Sequence, residues 1–498
     1  MKIALPRLAN VVLLLPAGLA LAWIVVEVAL FGARGGALGD FLGRAMFSTT
    51  GVASIAAALA AGVIATLLAL APGVMLAGRA RGLGAIALVF WLGGLALPVV
   101  FLGGAYSYIF ELGPAPPISA GGSLLRWAAL SLVWGLAFTP PASLVIAAAV
   151  RAIPAAELRA AMVHLTPWRR WRAVILPRMG PGLLLAALVS AAFAMMDAAT
   201  PPHFGVESTA SLAQLEFQRS LETAPAATAM LAPWLVAAVA AAFILRNDPA
   251  PAGSSPARPG WVGGLTFAAA VLTVLLPGGW MLYRGVSHLT PALLGQLTGE
   301  IGNTLAYVAV AALVCAAVAE LALAATAAKA DPLARPARLN TFSALVLLLA
   351  PGFGLGLAGV AANARVPSGV WWWLAFLLRV APWGLVAAVA IGNLNAARAA
   401  TALGMPASRR IKGTLRDHGW RPAMLAALAG AAAALREVDL FSAFCPPGGE
   451  SLAARSAQLL HYGMRPGLSA LMTVQMACAL VLGALLVVLS NVRRGGNG

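Results

Sequence analysis

TGVASIAAALAAGVIATLLALAPGVMLAG, residues 50–78, contains no charged side chain from end to end. A helix rising 1.5 Å per residue needs about 20 such residues to cross the hydrocarbon core of a bilayer. A helix apolar on every side has no face to offer water, so the stretch reads as a membrane span. Similar runs rich in Leu, Ala, Val and Gly recur from Leu8 to Leu489. Over the whole chain 61% of residues are hydrophobic and only 10% are charged, against roughly 25% charged in soluble domains. The composition predicts an all-α, multi-pass membrane protein.

The apolar runs place spans near 8–32, 50–78, 84–110, 125–150, 181–199, 226–245, 261–283, 302–328, 341–362, 370–393, 422–441 and 467–491, about twelve in all. With the N-terminus in the cytoplasm, most of the 33 Lys and Arg fall in loops on that side. The positive-inside rule then places both termini in the cytoplasm. The net charge of +17 is this loop bias and not a nucleic-acid surface, because no soluble basic domain accompanies it. Lys2 and Arg7 precede LANVVLLLPAGLALAWIVVEVALF, a run longer than a signal-peptide core, so it reads as the first span. Cys315 and Cys478 fall inside apolar runs and Cys445 follows one; they read as packing residues.

A Pro-rich polar stretch, RNDPAPAGSSPARPG (246–260), reads as a cytoplasmic linker between a first half, 1–245, and a second, 261–498. A shift of 240 residues lays Arg169-Arg170 on Arg409-Arg410, Ala160 on Ala400 and Asp197 on Glu437. The second spans also open alike (FSTTGVASIAAALA, IGNTLAYVAVAALV), and the third spans each carry a proline, Pro98 and Pro351. Two tandem six-span halves of the same topology follow.

After the fourth span of each half comes a basic loop: IPAAELRAAMVHLTPWRRWRAVILP (153–177) and NAARAATALGMPASRRIKGTLRDHGW (395–420). Each starts with Ala-rich helix formers, breaks at Thr166-Pro167 or at Gly404-Met405-Pro406, and resumes with arginines. Each predicts helix, turn, helix. Such arginines and tryptophans also serve to anchor helices at lipid headgroups, but a duplicated pair forms two levers on one surface.

These loops make the chain resemble the permeases of ABC importers, of the fused two-half ferric-iron and thiamine type. That family carries a cytoplasmic loop patterned E-A-A, three residues, G, nine residues, I-x-L-P, which docks into an ATPase groove. In the first loop Leu176-Pro177 and Val174 match its end, His164 stands at the glycine, and Glu157 lies one residue before the acid. In the second, Ala399, Ala400 and Gly404 match, Arg398 stands for the acid, and Thr414–Asp417 replaces the end. MMDAATPPHFGVESTASLAQLEFQRS (195–220) and REVDLFSAFCPPGGESLAARSAQLLHYG (436–463) resemble the segments after the fifth spans of the iron-type members. The resemblance covers nearly the whole chain. It implies a bacterial inner-membrane transport subunit that is not itself an enzyme and needs no cofactor. Its partners would be two ATP-binding-cassette ATPase subunits, a periplasmic substrate-binding protein and membrane lipid. The cargo would be ferric iron foremost, with thiamine or a phosphonate as alternatives. Glu157, Ala160, Ala161, His164, Arg169, Arg170, Ala399, Ala400, Gly404, Arg409 and Arg410 would then couple to the ATPases.

Ionisable groups at bilayer depth are costly and mark function by default. Asp197 and Glu437, at equivalent ends of the fifth span of each half, are the candidates for a pathway constriction, with Asp439 beside them. Arg436 is near enough in sequence to neutralise one of these acids. Arg379 either faces the path or makes a structural ion pair. Glu27 and Glu320 read as snorkelling, and His203 and His461 as polar surface residues beyond the spans. No catalytic or metal set emerges. G-x-x-x-x-G-K-[ST], H-E-x-x-H and G-x-S-x-G are all absent from the sequence, so energy must come from a partner or an ion gradient. The competing reading is an ion-coupled secondary transporter of the major-facilitator kind, which shares the two six-helix halves. Its loop pattern G-x-x-x-D-R-x-G-R-R is replaced here by AGRARGLG (77–84).

Overall fold

The computed structural model describes residues 49–77, 83–112, 120–151, 153–220, 261–329, 368–391, 420–460 and 466–492, with isolated positions at 239, 404–406, 409 and 412–413. All regular structure among the described residues is helical. Helix α1 is Thr49–Ala77; α2, Leu83–Gly93, and α3, Val99–Ile109, follow it; α4 is Ala120–Arg151. A hairpin of α5, Ala155–His164, and α6, Pro167–Arg170, leads into α7, Leu176–Met196, and then α8, Thr209–Ser220. Beyond 260 come α9, Trp261–Ala270; α10, Leu276–Gly285; α11, Pro291–Gln296; α12, Thr298–Lys329; and α13, Ser368–Ile391. The chain continues with α14, Arg421–Arg436; α15, Asp439–Phe444; α16, Leu452–Leu460; and α17, Pro466–Val492.

Among the described residues six helices are long and apolar enough to cross a membrane, or seven if one bent pair counts as a span. The expected spans 8–32 and 341–362, and 226–245 apart from Val239, lie outside the described residues. The expected span 84–110 is broken: its two pieces, Gly84–Ala96 and Val99–Ile109, meet at 105°. Pro98 makes the break, since Leu97 before it is forced out of helical geometry, to φ −82° and ψ 126°. The expected span 181–199 starts far earlier, because α6 and α7 join through a π-turn into one helix, Pro167–Met196. A second π-turn, Val271–Leu275, joins α9 to α10. Both π-turns end at a Leu-Pro step, Leu176-Pro177 and Leu276-Pro277. Widening the helix there relieves the clash of the proline ring with the preceding turn.

Two helix triads make up the bundle. In the first, α1, α4 and α7 pack on one another; in the second, α12, α13 and α14 do. Between them α17 lies on α2 and α10, and α9 lies on α1 and α2, so elements of the second half pack against the first. Pro140 and Pro141 interrupt the ladder of α4. The Thr139 hydroxyl donates to the Leu136 carbonyl at 3.0 Å, replacing the N–H that Pro140 lacks. Trp91 then donates to Ser143 Oγ at 2.9 Å, tying α2 to this stretch.

Close approach rests on small residues, as expected where lipid supplies no hydrophobic drive between helices. A Cβ at Gly62 of α1 would overlap the Ala187 carbonyl oxygen on α7 and sit 3.3 Å from Ala191 Cβ. In the second triad a Cβ at Gly430 would sit 2.6 Å from the Ala311 carbonyl oxygen. Gly264, by contrast, has nothing within 4 Å of its would-be Cβ. Gly62→Ala should therefore destabilise the first triad by about 1–3 kcal/mol, the range for overpacking, and Gly264→Ala should not. Thermal unfolding in detergent checks this; equal melting temperatures for the two variants would refute the close α1–α7 contact.

Candidate functional site

The helix α7 stops at Met196, and Asp197 turns to extended backbone, φ −77° and ψ 109°. Pro201 and Pro202 demand this, because a helix continued through them would lose two N–H donors and meet their rings. Asp197 then caps the turn that follows: its Oδ1 accepts from the Ala199 and Thr200 N–H groups, each at 3.2 Å. Trp134 of α4 donates its indole N–H to Asp197 Oδ2 at 2.7 Å.

The second half repeats the construction at Glu437. Helix α14 ends at Arg436, and Glu437 takes φ −70° and ψ 117°. Its Oε1 accepts the Leu440 N–H at 3.1 Å, capping α15, and its Oε2 accepts from Arg379 Nε of α13 at 2.8 Å. No proline forces this break. The acid itself competes for the backbone, as capping side chains do. Both acids are almost inaccessible, 6% for Asp197 and 5% for Glu437. A further parallel lies nearby: Ser54 Oγ on α1 accepts the Thr209 N–H that opens α8, at 3.2 Å. Thr304 Oγ1 on α12 likewise accepts the Leu452 N–H that opens α16, at 2.9 Å.

The two constructions meet. Arg436 places its guanidinium 4.8 Å from the ring centroid of Phe138 on α4, within cation–π range. Asp439 faces the Ala198 N–H of the first half. Asp197, Glu437, Asp439 and Arg379, expected separately from sequence, thus form one buried cluster with Arg436. Trp134, part-way along α4, is fully buried, which sets the Asp197 end of the cluster inside the bundle. The sequence reading gave the local neutralising role to Arg436. In the structure Arg379 makes an ion pair with Glu437 at 2.8 Å, and Arg436 lies over Phe138. Trp134 and Phe138 were not anticipated, since an aromatic inside an apolar helix carries no sequence mark of facing a charge. His203, expected at the surface, is buried in the short 3₁₀ turn Pro201–Phe204. Among the described residues no three His, Cys, Asp or Glu side chains are grouped to hold a metal ion.

The first basic loop folds as helix, turn, helix. Thr166 caps α6 by accepting the Arg169 N–H at 3.5 Å, with Pro167 in the first turn. The reversal passes through Leu165 at φ −124° and Thr166 at φ −60°, so His164 at the end of α5 needs no left-handed conformation. Arg178 grips Glu157 across the turn through two hydrogen bonds, 2.7 and 3.0 Å, and Arg170 reaches the Leu165 carbonyl at 3.5 Å. Ala161 is buried, while Ala160, Met162, Val163, His164, Trp168 and Arg169 are exposed. Val163 and Trp168 are the barest apolar side chains there, 78% and 71% accessible. Trp171 packs on Trp261 with centroids 6.0 Å apart, and Arg151 donates to the Leu76 carbonyl at 2.6 Å, closing the end of α1. In the second loop Gly404 has φ 68°, and the Arg409 N–H donates to the Pro406 carbonyl at 3.0 Å. Ala399, Ala400 and Arg410 lie outside the described residues.

No family model matches the chain, and no curated protein matches it.

The Arg379–Glu437 pair is worth little against a well-packed apolar pair, yet removing one partner strands a buried charge. Arg379→Met should cost about 3–5 kcal/mol, whereas the double replacement Arg379→Met with Glu437→Met should recover most of the loss. Thermal unfolding of the three proteins decides it; an additive double mutant would show that the pair is not coupled.

Proposed function

We propose that the chain is the membrane permease of an ATP-binding-cassette importer, with both halves of the translocator in one polypeptide. The observation that carries the reading is the clasped α5–α6 hairpin. It is a short helix held rigid between two spans by the Glu157–Arg178 pair, and it presents Val163 and Trp168 amid Arg159, Arg169 and Arg172. Exposed apolar groups rimmed by charge are the composition of a protein-docking surface. The hairpin is also continuous with α7 through the π-turn, so a push on it moves the Asp197 end of that helix. Two separate ATPase subunits would engage loops 153–177 and 395–420. Their closure would drive alternating access at the buried cluster, for a substrate handed over by a periplasmic binding protein at the bacterial inner membrane. Ferric iron is the cargo favoured by the resemblance of 195–220 and 436–463, with thiamine or a phosphonate next.

The buried charges are also what an ion-coupled secondary transporter would need, and one experiment separates the two readings. Tagged protein isolated in mild detergent from its native membrane should retain an ATPase subunit, identified by mass spectrometry. Trp168→Ala with Arg169→Ala and Arg170→Ala should reduce its recovery about tenfold or more, as loss of an interface hot spot does. Glu157→Gln should also weaken recovery while leaving the melting temperature within a degree or so, since an exposed pair adds less than about 1 kcal/mol. Absence of any ATPase from the wild-type preparation would reject the importer in favour of ion coupling.

A further inference from the structure

Two backbone irregularities meet where the second half packs against the first. One is the bend at Leu97, before α3; the other is the Leu276-Pro277 step, where a π-turn enters α10. A small cavity lies where they reach α17. Phe101 and Leu102 wall it from α3, Pro277 and Met281 from α10, and Met472 and Met476 from α17. No side chain on its wall carries a nitrogen or an oxygen.

Three of the residues on that wall are methionines, in a chain that has only 14 among its 498 residues. One thioether beside a cavity is ordinary gap filling; three, from two helices, make a set. The register shows how they come together. A Cβ at Gly278 would overlap Met476 Sδ, and one at Gly285 would overlap the Ala470 backbone nitrogen, so α10 and α17 run antiparallel in close contact. Met281 lies three residues on from Gly278, and Met472 lies four residues back from Met476, which brings Met281 and Met472 to the same level. Met472 and Met476 share one face of α17, as residues four apart do. The three methionines therefore stand within about one helical turn of each other along the axes. Met281 and Met472 belong to one buried cluster. Gly278 admits the third, because the Met476 sulfur fills the space that a side chain there would need.

Thioether sulfur is soft, polarisable and neutral. Soft sulfur ligands select soft ions such as Cu(I), whereas hard ions require oxygen. Neutral ligands also bring no counter-charge, and each further positive charge on the ion raises the cost of holding it inside an apolar bundle. The set therefore suits a monovalent ion and not a divalent or trivalent one. We propose that Met281, Met472 and Met476 form a site for a soft monovalent metal ion, Cu(I) or its analogue Ag(I). A bound ion ties α10 to α17 beside the bend that precedes α3. The site is separate from the buried cluster of Asp197 and Glu437, and it stands or falls independently of whether the hairpin binds an ATPase.

The experiment uses full-length protein in mild detergent, with Cys445→Ser and Cys478→Ser so that the two more accessible thiols do not compete. It is titrated without oxygen with Cu(I) against a coloured Cu(I) chelator. The chain should hold one Cu(I), X-ray absorption should show a first shell of sulfur only, and the ion should raise the melting temperature, as a ligand of the folded state does. Met281→Leu, Met472→Leu and Met476→Leu should each weaken binding about tenfold or more, at least what losing an outer partner costs a metal site. Leucine nearly conserves the volume of methionine, so the metal-free melting temperatures should stay close to that of the parent. That comparison separates loss of a ligand from loss of the fold. Met75→Leu, at a buried methionine that is not on the cavity wall, should bind as the parent does. No Cu(I) retained, nitrogen or oxygen in the first shell, equal loss in Met75→Leu, or unchanged affinity in a Met472→Leu, Met476→Leu double variant would each overturn the site.

Discussion

The structure turns on the cost of a charge inside an apolar bundle. Helices α7 and α14 each end at an acid, and each acid must be met by donors before the bundle can close around it. Asp197 is met by an indole and two backbone N–H groups, Glu437 by a guanidinium and one. The breaks are useful because they are satisfied: backbone freed from the helix at these points is taken up again by the carboxylates, as irregular backbone inside a membrane protein requires. Those caps set the direction in which the chain leaves. The segments that follow then tie back to α1 and α12 through Ser54 and Thr304.

The same economy explains the packing. Lipid chains are as apolar as leucine, so helices associate through close approach and polar links rather than through withdrawal from water. Gly62 in the first triad and Gly430 in the second occupy crossing points where no side chain fits. Cys315 serves the second triad similarly, donating Sγ–H to the Val380 carbonyl at 3.1 Å between α12 and α13. Around these contacts the aromatic group of Tyr307, Trp372, Phe376 and Phe441 fills the space beside Glu437, and the Tyr307 hydroxyl donates to the Gly449 carbonyl at 2.9 Å.

Much of this was legible in the sequence, and the illegible parts share a cause. Apolar length announced the helix of 49–77 because lipid imposes one requirement on every residue of a span. The turn at Thr166-Pro167 announced the hairpin because a capping hydroxyl before proline has a local meaning. The equivalence of Asp197 and Glu437 followed from the repeat. What failed was anything decided by partners distant in sequence. Arg436 was expected beside its neighbouring acids, and the contact the sequence did not announce is that of its guanidinium with the Phe138 ring. The span through Pro98 was read as continuous, although proline restricts the residue before it; the 105° bend is the stronger form of a signal already noted. The joining of 167–175 to α7 was hidden because Pro177 looks like a helix start, whereas a π-turn carries the helix through it.

The two halves are alike in plan and unlike in charge, and that difference has mechanical weight. Glu437 has a cation, Arg379, at hydrogen-bond distance, while Asp197 is held by neutral donors, the Trp134 indole and two backbone N–H groups. The first half also carries the hairpin clasped by Glu157 and Arg178, continuous with the helix that ends at Asp197. One helix of roughly 45 Å, at 1.5 Å per residue, therefore has the exposed Trp168 and Arg169 at one end and the Asp197 carboxylate at the other. A displacement at the hairpin needs no chain of side-chain adjustments to reach the charge cluster, because the helix backbone itself spans the distance.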